Sequence, residues 1–330
     1  MRGLVPPAPS MPAWAAKVVS ARRSGAADPR EPIVEAIAEA RRAGTGLVGD
    51  VTNTLASYEP LAASPLHAAV FFEQIGFRTA DPERQAADAR AQLERLAADA
   101  RLRSSVVPHA PYSVSPGLLR AIAALDPPVM SIHLGESAEE LEFLNDGTGA
   151  WRGVLESLGA WDARWTPPRC GPVEYIARAG LLNDRLVAVH GLQLTGEELS
   201  RLAAAHATLV TCPRSNMWTG AGTPPIARFY ESGVRVAVGT DSLASVDDLN
   251  IFSELAAMRA LAPGVPASRL LESATRAGAQ ALGFGGELGV IAPGHRAALI
   301  AVRLPAGVED VEEYLVGGIQ PADVSWLNDD

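Results

Sequence analysis

Residues that can bind a metal ion or move a proton follow short apolar runs at five places in the chain. His109, His133 and His190 each follow such a run, as do Asp241 and the thiol of Cys212. Neutral imidazoles and a carboxylate are ligands suited to Zn²⁺ or Fe²⁺. A metal ion bound there lowers the pKa of its water towards about 7 and generates hydroxide at neutral pH. The pattern therefore indicates hydrolysis by metal-activated water.

Hydrolysis at an sp² carbon also needs a group that moves protons to the leaving nitrogen. Glu136 lies three residues after His133, at the start of the next predicted helix, and suits this role. The alternative for Glu136 is a carboxylate that only stabilises the helix start through the macrodipole. A triad of Cys212, His190 and Asp241 is disfavoured, because a proline follows the cysteine and no helix N-terminus is expected there to lower the pKa of its thiol.

The elements that must position these residues alternate between strands and helices from about residue 30 to 283. Ser137 with Glu140, and Thr195 with Glu198, match the capping box at a helix start. Continuous apolar strands between amphipathic helices indicate a parallel sheet covered on both faces, as in a (β/α)8 barrel or a doubly wound sheet. The predicted strands are residues 46–51, 68–72, 105–107, 129–132, 186–189, 208–211 and 234–238.

The placement of the polar residues favours a shared site. Each follows the carboxyl end of a predicted strand, and in α/β barrels that rim carries the active site. One such histidine means little, but three with an aspartate are hard to explain by packing alone. No Gly-x-Gly-x-x-Gly follows the first predicted strand, which argues against a dinucleotide-binding fold.

Composition excludes several classes of protein. Of 330 residues, 48% are hydrophobic and 20% charged, so the chain can bury a core and is not a disordered segment. A net charge of −10 without a basic block argues against nucleic acid and membrane partners. Two cysteines cannot form a disulfide framework, and no apolar run reaches the roughly 20 residues needed to span a bilayer. We therefore expect a soluble cytoplasmic protein.

The ordered set of motifs resembles the amidohydrolase superfamily, in particular its branch of metal-dependent deaminases and chlorohydrolases. That branch includes cytosine, guanine and S-adenosylhomocysteine deaminases and the triazine hydrolases. The resemblance covers nearly the whole chain, and residues 289–299 look like the family's return to its β-sandwich, with Ala298 in place of the usual Asp. The matching motifs are residues 108–113, 133–137, 189–191, 212–216 and 239–242.

The resemblance implies a TIM-type (β/α)8 barrel in residues 1–284 and part of a small composite β-sandwich in residues 285–330. The family needs a His-x-His motif at the end of the first barrel strand, and the six histidines here contain no such pair. We therefore expect the chain to begin just past that strand, on a Pro-rich loop. A late start codon or a fragment is the favoured explanation, ahead of an inactive truncated relative and of a strand supplied by another chain.

The resemblance also implies a role for each candidate residue. One Zn²⁺ or Fe²⁺ per subunit would be bound by His133 and Asp241. Glu136 would carry protons to the leaving group, His190 would orient the water or the tetrahedral intermediate, and Asp241 would take the proton of the attacking water. The residues expected to contact substrate or line its pocket are His109, Tyr112, Arg214, Asn216 and Ser242. For Arg214 the alternative is an ion pair with an acidic loop.

The segment between His133 and His190 is long for one βα unit and holds half of the six tryptophans, Trp151, Trp161 and Trp165. We predict a helical insertion over the pocket whose aromatic wall, Trp151 included, suits a planar heterocycle. The alternative is that the rings only hold the insertion together.

The leading hypothesis is a metal-dependent hydrolase of C–N bonds other than peptide bonds. Its most plausible reaction is deamination of an aminated heterocycle or nucleoside-like compound, with aminodeoxyfutalosine as a specific case. The alternatives are hydrolysis of a C–Cl bond or an amide, and a non-catalytic amidohydrolase-like protein. The expected partners are a small-molecule substrate and a second copy of the chain in a homodimer.

Overall fold

The computed structural model describes residues 2–24 and 29–327, and all seven predicted strands occur within them. These parallel strands are β1 (Leu47–Thr52), β2 (His67–Gln74), β3 (Leu102–Pro108), β4 (Met130–Leu134), β5 (Leu186–His190), β6 (Thr208–Thr211) and β7 (Arg235–Val238). They pair in chain order as β1-β2-β3 and β4-β5-β6-β7. The backbone N–H of His133 donates to the carbonyl of His109 over 2.9 Å and joins the two sheets at their carboxyl ends.

This strand order separates the two folds that the sequence left open. A doubly wound sheet reverses its strand order at a switch point, whereas a barrel keeps consecutive strands adjacent. Here every neighbouring pair of strands is consecutive in the chain, and at least one helix lies between each pair. The architecture is therefore that of an α/β barrel. The absence of a first strand, expected from the sequence, stays a prediction.

Helices surround the strands, and no helix in the described ranges combines the length and apolar character needed to cross a membrane. The helices are α1 (Met11–Ser24), α2 (Arg30–Arg42), α3 (Tyr58–Ala62), α4 (Pro82–Leu93), α5 (Pro116–Ala124), α6 (Ala138–Asp146), α7 (Gly149–Ser157), α8 (Pro172–Arg178), α9 (Gly196–Ala204), α10 (Pro213–Thr219), α11 (Ile226–Glu231), α12 (Ile251–Leu261), α13 (Ala267–Ser273), α14 (Arg276–Ala281) and α15 (Val311–Leu315). The capping box of Thr195 and Glu198 is present at the start of α9, as predicted. Helices α6, α7 and α8 form the predicted insertion between β4 and β5.

The barrel interior is filled by apolar side chains at alternate strand positions. Ala69 and Phe71 of β2, Val107 of β3 and Val187 of β5 form one buried cluster with Val129, which precedes β4. Successive side chains of a strand point to opposite faces, so the next inward position lies two residues further along. The strand register therefore carries the inner face directly from this apolar layer to polar residues at the carboxyl ends.

The tail of the chain forms one short antiparallel pair of strands. Strand β8 (Ile300–Val302) pairs with β9 (Val324–Trp326). The indole N–H of Trp326 donates to the carbonyl of Arg41 over 2.8 Å, and the Arg41 guanidinium lies over the indole ring. The pair thus packs where α2 leads into β1. The boundary between residues 284 and 285 stays a prediction.

Gly220 holds the N-terminal loop against the end of α10, and its substitution tests that contact. Its φ of +78° is left-handed, and an added Cβ would lie 2.4 Å from the carbonyl oxygen of Ala8. Gly220→Ala should therefore lower the free energy of unfolding by at least about 2 kcal/mol, measured by urea denaturation. The control is Gly153→Ala in the exposed face of α7, where nothing lies within 4 Å, which should raise it by about 0.5–1 kcal/mol. Equal changes in the two variants would contradict this account.

Candidate active site

Strands β2, β3 and β4 each place a polar side chain on the inner face of the barrel, on the carboxyl side of the apolar layer. Glu73 follows Phe71 by two residues on β2, and His109 follows Val107 at the end of β3. On β4, His133 lies two inward positions beyond Val129, with Ser131 between them. Alternation along a strand therefore brings two imidazoles and a carboxylate to one place. Their ligand atoms all lie within 4.8 Å of one another.

A second group of ligand atoms shares His133 with the first. It comprises His133, Glu136 and His190, again with all ligand atoms within 4.8 Å of one another. His133 Nδ1 lies 3.0 Å from His190 Nε2, and Glu136 Oε1 lies 3.6 Å from the same His190 nitrogen. His133 therefore stands at the centre of the cluster, with a carboxylate on each side.

Burial and mutual charge set the protonation of this cluster. Burial opposes the charged form of His133, but the Glu73 carboxylate, 3.5 Å from Nε2, raises the pKa of the imidazole to about 9. Burial likewise opposes the charged form of Glu73, and His109 and His133 together lower its pKa to about 2. Burial lowers the pKa of His190 to about 3, and the charge of His133 adds to the effect. His133 is thus the cation of the group and His190 its neutral base.

Asn216 fixes the orientation of His190. Its amide nitrogen Nδ2 lies 2.9 Å from His190 Nδ1, and both side chains are buried. This contact anchors the ring through Nδ1 and leaves Nε2 facing His133 and Glu136. His190 itself has a φ of +79°, so the chain turns sharply at the end of β5.

Glu136 is the carboxylate of the site with an unused oxygen. The residue is 2% exposed, and Oε2 is buried without a hydrogen-bond partner. Burial raises the pKa of Glu136 to about 8, against the opposing charge of His133. A buried acid of this kind holds its proton at neutral pH and can deliver it to a bound molecule.

Glu140 holds the turn that carries Glu136. Its two carboxylate oxygens accept from the backbone N–H groups of Gly135 (2.9 Å) and Glu136 (3.1 Å). The capping box predicted for Ser137 and Glu140 is therefore wrong, since Ser137 makes no side-chain cap. Glu140 is fully buried and satisfies backbone groups nearer the site instead. Burial raises the pKa of Glu140 to about 7, although the two N–H groups oppose this.

Asp241 lies beyond β7 in a left-handed conformation, with a φ of +60°. The hydroxyl of Ser215 donates to its Oδ2 over 2.6 Å. Among the described residues, Asp241 belongs to neither group of ligand atoms. Its charge nonetheless acts on the site, because it helps to raise the pKa of Glu136. Ser242 is exposed, and its hydroxyl accepts from the backbone N–H of Ala244 over 3.0 Å.

Aromatic side chains form the wall next to His109. The ring of Tyr112 meets that of His109 edge-on at 5.8 Å and stacks on the indole of Trp151 at 3.7 Å. The Tyr112 hydroxyl and the Trp151 indole nitrogen are both buried without a hydrogen-bond partner. Trp161 and Trp165 pack instead on Phe77 and Phe143, as expected of rings that hold the insertion together. A substrate contact by Trp151 stays a prediction.

Two further candidate residues, Arg214 and Cys212, have contacts that bear on the alternatives considered for them. The guanidinium of Arg214 donates to Glu254 (2.9 Å) and Asp248 (2.8 Å), which favours the alternative of an ion pair with an acidic loop. Cys212 occupies the N-cap of α10, so the expectation of no helix N-terminus there is wrong. The thiol is nevertheless a poor nucleophile, because burial raises its pKa well above the usual value.

Sequence reasoning missed Glu73 and Glu140. Glu73 ends the apolar run of β2 in the same way that His109 and His133 end theirs, so the same signal identifies it. Glu140 carries no comparable signal, because its pattern with Ser137 is that of an ordinary capping box.

The chain is similar in sequence and in structure to known proteins. Residues 28–324 match the family described as the Amidohydrolase family. An aminodeoxyfutalosine deaminase of Deinococcus radiodurans is 33% identical over 73% of this chain. The chain spans 61% of the length of that relative.

Two solved structures resemble the fold closely. Helicobacter pylori aminofutalosine deaminase in complex with methylthio-coformycin has a TM-score of 0.83 and 26% identity, over 96% of this chain and 78% of that one. An adenosine deaminase of Xanthomonas campestris with bound zinc has a TM-score of 0.80 and 27% identity, over 98% of this chain and 74% of that one. Both likenesses extend over nearly all of the chain.

Replacement of Glu140 tests the support of the turn. In Glu140→Gln an amide group faces one of the two backbone N–H donors, which is left unsatisfied in a buried place. The variant should therefore lose about 1–3 kcal/mol of unfolding free energy in urea denaturation. The control is Glu139→Gln, the preceding residue of α6, which is only partly buried and should change it by less than about 0.5 kcal/mol. Equal stability of the two variants would show that Glu140 does not hold the turn.

Proposed function

The chain belongs to the amidohydrolase family, and from this we propose that it is a metal-dependent hydrolase that deaminates an aminated heterocycle in a nucleoside-like compound. The observation that carries the proposal is Glu136, a buried acid with one oxygen free, beside His190 and His133. The deaminase names of the matched relative and of both solved structures support the reaction type. A small-molecule substrate, a homodimer and a cytoplasmic location complete the proposal.

The side chains present fit a zinc ion. Imidazole nitrogens and carboxylate oxygens are its usual ligands, and two groups of them meet at His133. His133 would hold the ion as a neutral imidazole, so metal binding would release its proton. Neighbouring donors of these groups would complete the site, and Asp241 is proposed as a further ligand. When bound, zinc polarises water and supplies hydroxide near neutral pH. The zinc of the Xanthomonas adenosine deaminase supports this choice of metal.

Glu136 is proposed to move protons between water and the leaving group. In the reaction, a water oxygen bonds to the ring carbon that bears the amino group, and the C–N bond breaks to release ammonia. The departing nitrogen needs one proton more than it carries, and the attacking water has one to give. Glu136 gives its own proton to the departing nitrogen, and the proton that the water gives up to Asp241 restores it before the next turnover. The raised pKa of Glu136 lets it exist in both forms near neutral pH.

His190 and Asp241 are proposed to position and activate the water. Asn216 holds the His190 ring with Nε2 towards the centre of the site, where it can orient the attacking water or the tetrahedral intermediate. Ser215 holds the Asp241 carboxylate, which accepts a proton from the attacking water. Tyr112 and His109 form the adjoining wall, where a planar heterocycle can pack.

Ammonia release by Glu136→Gln tests the proposed reaction. The amide keeps the shape of the side chain but cannot carry the proton, so kcat should fall by about 10²–10⁴-fold with KM little changed. Suitable substrates are aminodeoxyfutalosine, 5′-methylthioadenosine and S-adenosylhomocysteine, with chloride release from atrazine as the alternative reaction. Glu139→Gln is the control and should keep full activity. Unchanged ammonia release by Glu136→Gln would exclude the assigned role.

Zinc content of His133→Ala tests the proposed metal site separately from catalysis. Loss of even a group that supports a ligand weakens binding by about 10–100-fold, so loss of the central imidazole should weaken it at least tenfold. The protein is loaded with zinc, freed of excess by gel filtration and analysed by mass spectrometry. His206→Ala removes an exposed histidine instead and should leave the zinc content unchanged. Equal zinc in both variants would place the metal elsewhere.

A further inference from the structure

A cavity lies at the opposite end of the strands from His133 and Glu136. Its volume is about 320 Å³, and it opens beside the amino ends of β6 and β7. His206, just before β6, and Arg235, the first residue of β7, form one side. Helices α13 and α14 form the other. The proposed reaction makes no use of this cavity.

The lining of this cavity is basic, although the chain as a whole has a net charge of −10. Arg235, Arg269 and Arg276 come from β7, α13 and α14 respectively, and all three line the same space. Glu272 is the one carboxylate among the lining residues, and it pairs with Arg276. Three guanidinium groups against one carboxylate leave an excess of positive charge.

Two of the arginines are held in place by contacts that leave guanidinium N–H donors free. The guanidinium of Arg269 lies over the ring of Tyr230 at 5.2 Å and has no hydrogen-bond partner in the described part of the chain. Arg235 Nη1 donates to Thr208 Oγ1 over 3.2 Å, and its other guanidinium nitrogens make no such bond to described residues. A planar guanidinium presents paired N–H donors that match the oxygens of phosphate or carboxylate groups.

Neutral hydroxyl groups complete the lining. The Tyr230 hydroxyl and Ser273 Oγ lie 2.6 Å apart and line the cavity together. Both hydroxyls also lie within hydrogen-bond distance of the Arg269 carbonyl, at 3.4 and 3.3 Å. They therefore fix this polar wall beside Arg269, and the guanidinium groups supply the donors and the charge. A cavity lined by several guanidinium groups and a polar wall suits a compact, multiply charged oxyanion.

We propose that this cavity binds a phosphate group, as free phosphate or as the phosphate of a small metabolite. Arg269 contacts the phosphate oxygens with its free guanidinium, and Arg235 does so with the nitrogens that its bond to Thr208 leaves free. Arg276, beside Glu272, adds charge from α14. A doubly charged phosphate gains more from three guanidiniums than a singly charged carboxylate does. The site is separate from the proposed catalytic cluster, so it does not depend on the deaminase proposal.

Calorimetric titration with inorganic phosphate and with ribose 5-phosphate tests the proposal, at an ionic strength matched with sodium chloride. The wild-type protein should bind at least one probe at a single saturable site. Arg269→Gln/Arg276→Gln should weaken that binding at least about tenfold. Tighter binding of ribose 5-phosphate identifies a phosphate ester as the ligand, and equal affinity identifies free phosphate.

The matched control is Arg84→Gln/Arg90→Gln on α4. It removes two exposed arginines that pair with carboxylates four residues away, and so changes the net charge by the same amount. The control should bind phosphate as the wild type does. The proposal is overturned if the wild type binds neither probe. It is also overturned if the cavity variant binds as strongly as the wild type, because phosphate held at a catalytic metal would not be affected by the cavity substitutions. Arg269→Gln alone replaces the double variant if the latter does not fold.

Discussion

The site depends on the burial of acids and imidazoles next to one another. Any one of these groups buried alone would lose its charge. Burial raises the pKa of Glu136 to about 8 and lowers that of His190 to about 3. Glu73 reverses the effect for His133, whose pKa rises to about 9. One cluster therefore contains a protonated acid, a neutral imidazole and a charged pair at the same pH, and such separated protonation states are what acid–base chemistry requires.

The backbone around the cluster is arranged to hold these side chains in place. His190 and Asp241 both adopt left-handed conformations just where β5 and β7 end, and Gly135 does so after β4. A Cβ on Gly135 would lie 2.6 Å from the buried Leu194 side chain, so any larger residue would have to displace it. Glu140 then fixes the turn through two backbone N–H groups. Departures from strand geometry at the rim thus aim the side chains, while regular strands below supply the rigid support.

Much of this arrangement follows from the sequence, because apolar runs and strand alternation are local signals. All seven parallel strands and the helical insertion could be predicted, as could the convergence of His109, His133 and His190. Helix α1 could not, because its apolar residues do not gather on one face. The capping box at Ser137 failed because Glu140 finds better partners in the turn before the helix. The ion pairs of Arg214 depend on residues about 34 and 40 positions away, which a local pattern does not reveal.

The central claim is that a metal ion bound at His133 and the buried acid Glu136 act on the same C–N bond of the substrate. Anomalous X-ray diffraction at the zinc absorption edge, from crystals of the zinc-loaded protein, tests this most directly. The account predicts one strong zinc peak per chain, bonded to His133 and next to Glu136. A zinc peak away from His133 would contradict the account, and so would the absence of any zinc peak in crystals grown from the zinc-loaded protein.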